Sequence, residues 1–210
     1  MTIGVFAGPI RGLKFETPSL TGITNDRGEF RYRKGEAVTF LVGRLVIGTV
    51  EGAPRVNLAQ LVNRVAGKID KLHDPVVTNL ARLIQSLDEE GNTEAGVTIA
   101  PIVHELLEPM FINYNQPESD FTVDPAVTGL LDMLNTATGV FTANKPRTLR
   151  NPAAARNELR RNIRSIVKMT DVKVPLRDGS YVYADVFRPA DEGQYPIIMN
   201  KGFYGKSFYH

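Results

Sequence analysis

The chain has 210 residues, a formal net charge of +2, 42% hydrophobic and 23% charged residues. These values allow one or two globular domains with a sizeable core, and exclude general affinity for nucleic acid or an anionic membrane surface. No cysteine is present, so disulfides, Cys-ligated zinc and a thiol nucleophile are excluded; no apolar run approaches the roughly 18 residues a membrane-spanning helix needs.

The opening MTIGVFAGPIRG is too short and too broken by glycine for a secretory signal, so the chain reads as soluble and leaderless. From residue 10 to 50 short strands are expected at Gly12 to Thr17, Thr21 to Thr24, Glu29 to Tyr32, Ala37 to Val42 and Leu45 to Val50. Asn25-Asp26-Arg27-Gly28 and Arg33-Lys34-Gly35-Glu36 supply hairpin connections between them. Strands this short at this spacing predict a small all-β meander, either a sandwich or a partial barrel. Leu58, Leu61, Val62 and Val65 then mark a helix, and Val77, Leu80, Leu83, Ile84 and Leu87 a second one opening after Asp74-Pro75. Three- and four-residue spacing of this kind points to core rather than to a ligand box. His73 falls in the loop before it.

The second helix ends at Asp88-Glu89-Glu90-Gly91-Asn92. Against a calcium-loop pattern the glycine falls at the fourth position rather than the sixth, and Ile99 stands where the bidentate glutamate belongs, so a solvated helix-end loop is expected. Thr21 to Phe40, together with Val77 to Asp88, resembles a β module with a helix that is common in bacterial secreted proteins and lipoproteins. That resemblance covers about residues 10 to 100 and implies a binding or spacing role and an extracytoplasmic setting.

Residues 100 to 168 read as helical with loops. Ile102 to Leu107 gives a short helix carrying His104-Glu105, but Glu108 occupies the next ligand position, so the zinc-protease pattern fails. Asn113 to Phe121 is polar, interrupted by proline and without periodicity, and is expected to be a loop. Asp124-Pro125 and Asn151-Pro152 each pair an N-cap with proline at the first helical position. Val127, Leu130, Leu131 and Leu134 face the core from the first of these helices; Leu159, Ile163, Ile166 and Val167 line one side of the second. Lys145, Arg147, Arg150, Arg156, Arg160, Arg161, Arg164 and Lys168 meet only Glu158 in opposition. Either they form a polyanion-facing surface or they belong to a solvated linker helix, and the lack of interleaved aromatics favours the linker.

The tail is the most informative stretch. Val172, Val174 and Leu176 alternate with polar neighbours, Arg177-Asp178-Gly179-Ser180 makes a turn, and Tyr181 to Phe187 returns as a strand. Tyr195-Pro196-Ile197-Ile198-Met199 has the form of a short buried strand and leads into a loop with Gly202, Tyr204 and Gly205. Asn200 to Ser207 ends in Gly-Lys-Ser, but Asn200 stands where a phosphate-binding loop needs glycine, and Phe203-Tyr204 would crowd its backbone.

Val174 to Gly179, Ala184 to Pro189, Tyr195 to Ile198 and Phe203 to Lys206 together resemble the opening of the catalytic domain in the cocaine-esterase and X-Pro dipeptidyl-peptidase group of α/β-hydrolases. The resemblance covers roughly the last forty residues. It implies that Tyr204 donates its hydroxyl to the oxyanion of an acyl-transfer intermediate; from the residues alone Tyr204 is a loop aromatic over a sheet edge. No Gly-x-Ser-x-Gly elbow occurs, and neither Ser180, Ser207 nor His210 is placed to serve a triad.

The expected fold is therefore α+β: residues 1–100 a β module with helical extension, 101–168 a helical linker region, and 169–210 the start of a hydrolase domain. The resemblance implies a serine hydrolase acting on a small ester or peptide substrate, its triad lying beyond this chain, which is inactive alone. The other reading is a non-catalytic extracytoplasmic binding or spacer module. No cofactor, metal, nucleic-acid partner or membrane span is expected.

Overall fold

A computed structural model of the chain describes residues 1–62, 72–93, 96–108, 110–164, 166–189 and 197–198. It is a mixed α+β structure, and it divides into two compact units, Met1–Ile163 and Arg164–His210.

In the first unit, strand β1 (Thr2–Phe6) is central in a three-stranded sheet. It lies antiparallel to β5 (Glu29–Tyr32) and parallel to β8 (Arg55–Val56). A second sheet has the order β4 (Thr21–Ile23), β3 (Lys14–Glu16), β6 (Ala37–Val42), β7 (Leu45–Glu51), with every pairing antiparallel. The two-residue strands β2 (Ile10–Arg11) and β9 (Val97–Thr98) pair in parallel. The sheets meet through aromatic rings. Phe40 from one sheet stands edge-on to Phe6 and Phe30 from the other, at centroid distances of 5.2 and 5.1 Å, with Phe15 6.2 Å from Phe30. Edge-to-face contacts of this kind add to the burial of the rings themselves.

The five strands expected from the sequence are all present, but they do not form one continuous meander. Strand β5 leaves its sequence neighbours and joins β1, because Thr2–Phe6, an apolar run not read as a strand, offers it a free edge.

Helix α2 (Pro75–Ser86) organises this unit. Asp74 caps it by accepting the Val76 N–H at 2.9 Å, and Pro75 occupies the first turn. Its apolar stripe, Val77, Leu80, Leu83 and Ile84, is fully buried. So is its opposite stripe, Thr78, Asn79, Arg82, Gln85 and Ser86. Burial of polar groups is tolerated where they are hydrogen-bonded, and here they are the attachment points for the outer layer. Asn79 donates to the carbonyls of Tyr114 and Gln116, Gln85 to that of Ala155, and the Ser86 hydroxyl accepts the Arg150 N–H. That layer contains α4 (Glu118–Val123), α5 (Pro125–Thr136) and α6 (Pro152–Ile163). The shorter α1 (Leu58–Leu61) and α3 (Pro101–Leu106) flank the sheets; α1 opens with a capping box between Asn57 and Gln60, and Val65 lies outside the described residues.

Three expectations are corrected. The stretch Asn113 to Phe121 is not all loop, since α4 starts at Glu118. Without a periodic apolar pattern, it forms because Phe121 is buried beside Tyr114 and the Glu118 carbonyl and Thr122 hydroxyl accept from the Arg82 guanidinium. The basic region is not a solvated linker: Val140, Phe141, Ala155 and Leu159 are buried in the core of the first unit. Finally, Ile166 and Val167 are not helical. Helix α6 stops at Ile163, and both residues belong to β10 (Ile166–Pro175), consistent with the preference of β-branched side chains for strands.

In the second unit, β10 pairs antiparallel with β11 (Tyr181–Pro189). None of its described residues is buried.

Candidate functional site

Tyr204, the expected oxyanion donor, lies outside the described residues, as do Ser207 and His210. The hairpin preceding it is formed as expected. The register runs from Val172 opposite Ala184 to Pro175 opposite Tyr181, with an irregularity between Met169 and Val172 where Asp171 adopts φ +54°. Gly179, at φ +85°, closes the turn by donating to the Leu176 carbonyl at 3.1 Å. Asp178 accepts both the hydroxyl and the N–H of Ser180, and these bonds, the hydroxyl first, hold its carboxyl below the usual aspartate range. Ser180 is thereby a turn residue. Of the expected strand Tyr195 to Met199, only Ile197 and Ile198 are described; they are in no strand and are 88% and 97% exposed. A parallel strand of this composition needs neighbours on both sides, and β10 and β11 pair only with each other among the described residues.

The first unit carries a cleft of about 360 Å³ between the outward face of β3–β4 and α3. Ile23, Ile99 and Pro101 give it an apolar floor. Glu105 on α3 and Glu108 just past its end are exposed on one wall; Lys14 lines another, with its ammonium 2.8 Å from Glu16.

His104 fastens this cleft. Its Nδ1 accepts the Gly43 N–H at 2.9 Å, and its Nε2 lies 2.7 Å from the Gly12 carbonyl oxygen. Because an amide can only donate and a carbonyl only accept, the ring is the neutral tautomer with its proton on Nε2. Both nitrogens are committed to the backbone, so His104 is a strut and not a base for chemistry. The glycines are required: Gly12 (φ +84°) and Gly43 (φ +61°) are left-handed, and a Cβ on either would meet the carbonyl oxygen of Ile99 or His104 respectively. His73, as expected, is an exposed turn residue.

The acidic turn after α2 is exposed at Glu90 and Asn92, as a helix-end loop should be, but its first residue is not solvated. Asp88 is 3% exposed, and its two carboxylate oxygens accept the N–H groups of Thr98, at 2.7 Å, and Asn92, at 2.8 Å. Arg147 donates to the carbonyls of Asp88, at 2.9 Å, and Glu89, at 3.3 Å, while stacking 4.7 Å from the Phe141 centroid. The turn is held by protein donors, and among the described residues no group of three or more His, Cys, Asp or Glu is arranged to hold a metal.

The basic residues are distributed over internal partners. Arg156 pairs with Glu118 at 2.5 Å and Arg161 with Glu158, while the guanidinium of Arg147 donates to the Asp88 carbonyl and that of Arg150 reaches the Thr93 hydroxyl at 3.5 Å. The sequence reading missed Arg82, which is 2% exposed. Its three nitrogens donate to the Arg150 carbonyl, the Glu118 carbonyl and the Thr122 hydroxyl at 2.7, 3.0 and 2.9 Å. Burial pushes this guanidinium below its ordinary value, with the nearby Glu118 carboxylate opposing. An arginine on the polar stripe of an amphipathic helix reads as solvated; only the residues 114–155 that cover it make it core.

No helix among the described residues is long and apolar enough to cross a membrane. Set against family models, curated proteins and solved structures, the chain matches none.

Proposed function

We propose that this chain is the N-terminal part of a serine hydrolase that acts on a small ester or peptide amide. In this reading the β module of residues 1–100 is an accessory domain and Tyr204 contributes a donor to the oxyanion hole. The observation that carries it is the tail: four sequence blocks in the order and spacing of a cocaine-esterase or X-Pro dipeptidyl-peptidase opening. The β10–β11 hairpin falls where that opening has one. Its exposed Tyr181, Tyr183 and Phe187, at 50%, 55% and 57%, suit a ribbon that belongs to a larger sheet. A phenol fixed beside the reacting carbonyl stabilises charge that develops only in the transition state. The setting is extracytoplasmic, and neither a nucleic-acid partner nor a cofactor is part of the reading.

The test is the reading frame past His210. It is expected to encode a Gly-x-Ser-x-Gly elbow followed by an acid and a histidine, in a protein whose serine is labelled by a fluorophosphonate. In that protein Tyr204→Phe is expected to lower kcat for p-nitrophenyl acetate by about 100-fold, with KM little changed. A frame that closes at His210, or a full-length protein with no reactive serine, overturns the proposal.

A second reading, a binding or spacer module without catalysis, is favoured by one observation: among the described residues every buried hydrophobic one, from Phe6 to Leu159, lies in the first unit, which also holds the cleft.

A further inference from the structure

We propose that the cleft beside His104 receives a lysine side chain from an extended peptide segment of a partner protein. Its lining residues all lie between Gly12 and Glu108, so the proposal stands apart from the hydrolase reading. Three features of the cleft define the ligand.

The first is shape. About 360 Å³ is at the small end of ligand pockets, room for one long side chain rather than a cofactor. The floor of Ile23, Ile99 and Pro101 suits a run of methylenes, and Ile23 is 56% exposed although it sits on a sheet. The second is charge. Lys14 is matched by Glu16, and His104 is neutral and committed at both nitrogens. Glu105 and Glu108 are exposed on the wall, and among the described residues neither forms an ion pair. An apolar floor with two carboxylates above it complements an aliphatic stem carrying a terminal cation, the form of a lysine side chain. The third is the neighbouring backbone. Strand β4, which carries Ile23, is an edge of its sheet and pairs only with β3 among the described residues. An exposed edge accepts an extended chain through main-chain hydrogen bonds, with alternate side chains entering pockets on one face. A free amine has no use for such an edge, whereas a peptide does.

The test is an NMR titration of the 210-residue chain with the peptide Ac-Thr-Val-Lys-Val-NH2, with its norleucine and glutamate counterparts, and with free cadaverine. The lysine peptide is expected to shift the amides of Gly22, Ile23, Gly43 and Ile99 saturably, with Kd on the order of 1 mM. Norleucine should weaken binding about five-fold or more and glutamate further, and the lysine peptide should lose affinity as salt is raised. In the double variant Glu105→Gln, Glu108→Gln, both positions being exposed and outside the His104 bonds, the lysine and norleucine peptides should bind alike. Equal binding of lysine and norleucine peptides to the unaltered chain overturns the charge assignment. Cadaverine binding as tightly as the peptide overturns the peptide assignment, and no saturable shift from any probe overturns the site.

Discussion

Arg82 shows how a single side chain can tie two layers together. Its guanidinium joins the segment just before α6 to α4, through the Arg150 carbonyl, the Glu118 carbonyl and the Thr122 hydroxyl. Arg82→Met keeps most of the apolar stem but removes three hydrogen bonds to part-buried acceptors. The expected cost is about 3 kcal/mol, read as a lower urea midpoint with an unchanged slope. Arg82→Lys should recover little of it, since one ammonium cannot span three acceptors held by a planar fork. A loss within about 0.5 kcal/mol for the methionine variant would show that these bonds are replaceable by water. Asp88 belongs to the same class of residue: from the sequence it is one of three acids in a turn, yet its carboxylate is buried and bonded to two amides. Neither role was legible. Local pattern says which face of a helix is polar, and only tertiary contacts say whether that face meets water.

At the scale of the element, capping was the most readable signal. Asp-Pro at 74–75 and 124–125 and Asn-Pro at 151–152 each open a helix where expected, because the cap's side chain and the proline's fixed φ act within a few residues. The β alternation between Gly12 and Val50 was readable for the same local reason. What failed was partnership and continuation: β5 pairing with β1, α4 forming without periodicity, and α6 giving way to β10 at residues whose apolar spacing suits either structure. The cap of α5 gives a pH test. Gln116 first, and then the N–H of Ala126, hold the Asp124 carboxyl below its ordinary value of 3.8. A group depressed in the folded state adds stability above the unfolded value, and that stability disappears as pH falls through the folded one. Asp124→Ala should therefore cost about 1 kcal/mol at pH 7, with the gap to the unaltered protein closing in the acid range below 3.8. A gap that persists unchanged at pH 2 would assign the loss to packing.

Across the whole molecule, stability should be unevenly distributed between the two units. Among the described residues the buried core runs from Phe6 to Leu159, entirely within Met1–Ile163. In Arg164–His210 no described residue is buried, and the described structure is a two-stranded ribbon whose contacts are surface ones, such as Tyr181 edge-on to Tyr183 at 5.4 Å and Lys173 over Tyr181 at 3.8 Å. A lone two-stranded ribbon is marginal in water, whereas α2, buried on both stripes, can open only when the first unit unfolds. In native-state hydrogen exchange of the 210-residue chain, the amides of Leu80, Leu83 and Ile84 should exchange at the global unfolding free energy and those of Val172 to Pro175 and Tyr181 to Ala184 far faster. Equal protection of ribbon and helix would mean that the ribbon is held by contacts beyond its own ladder. The same measurement on a longer protein bears on the hydrolase reading, because a ribbon that becomes the edge of a completed sheet should acquire protection that it lacks alone.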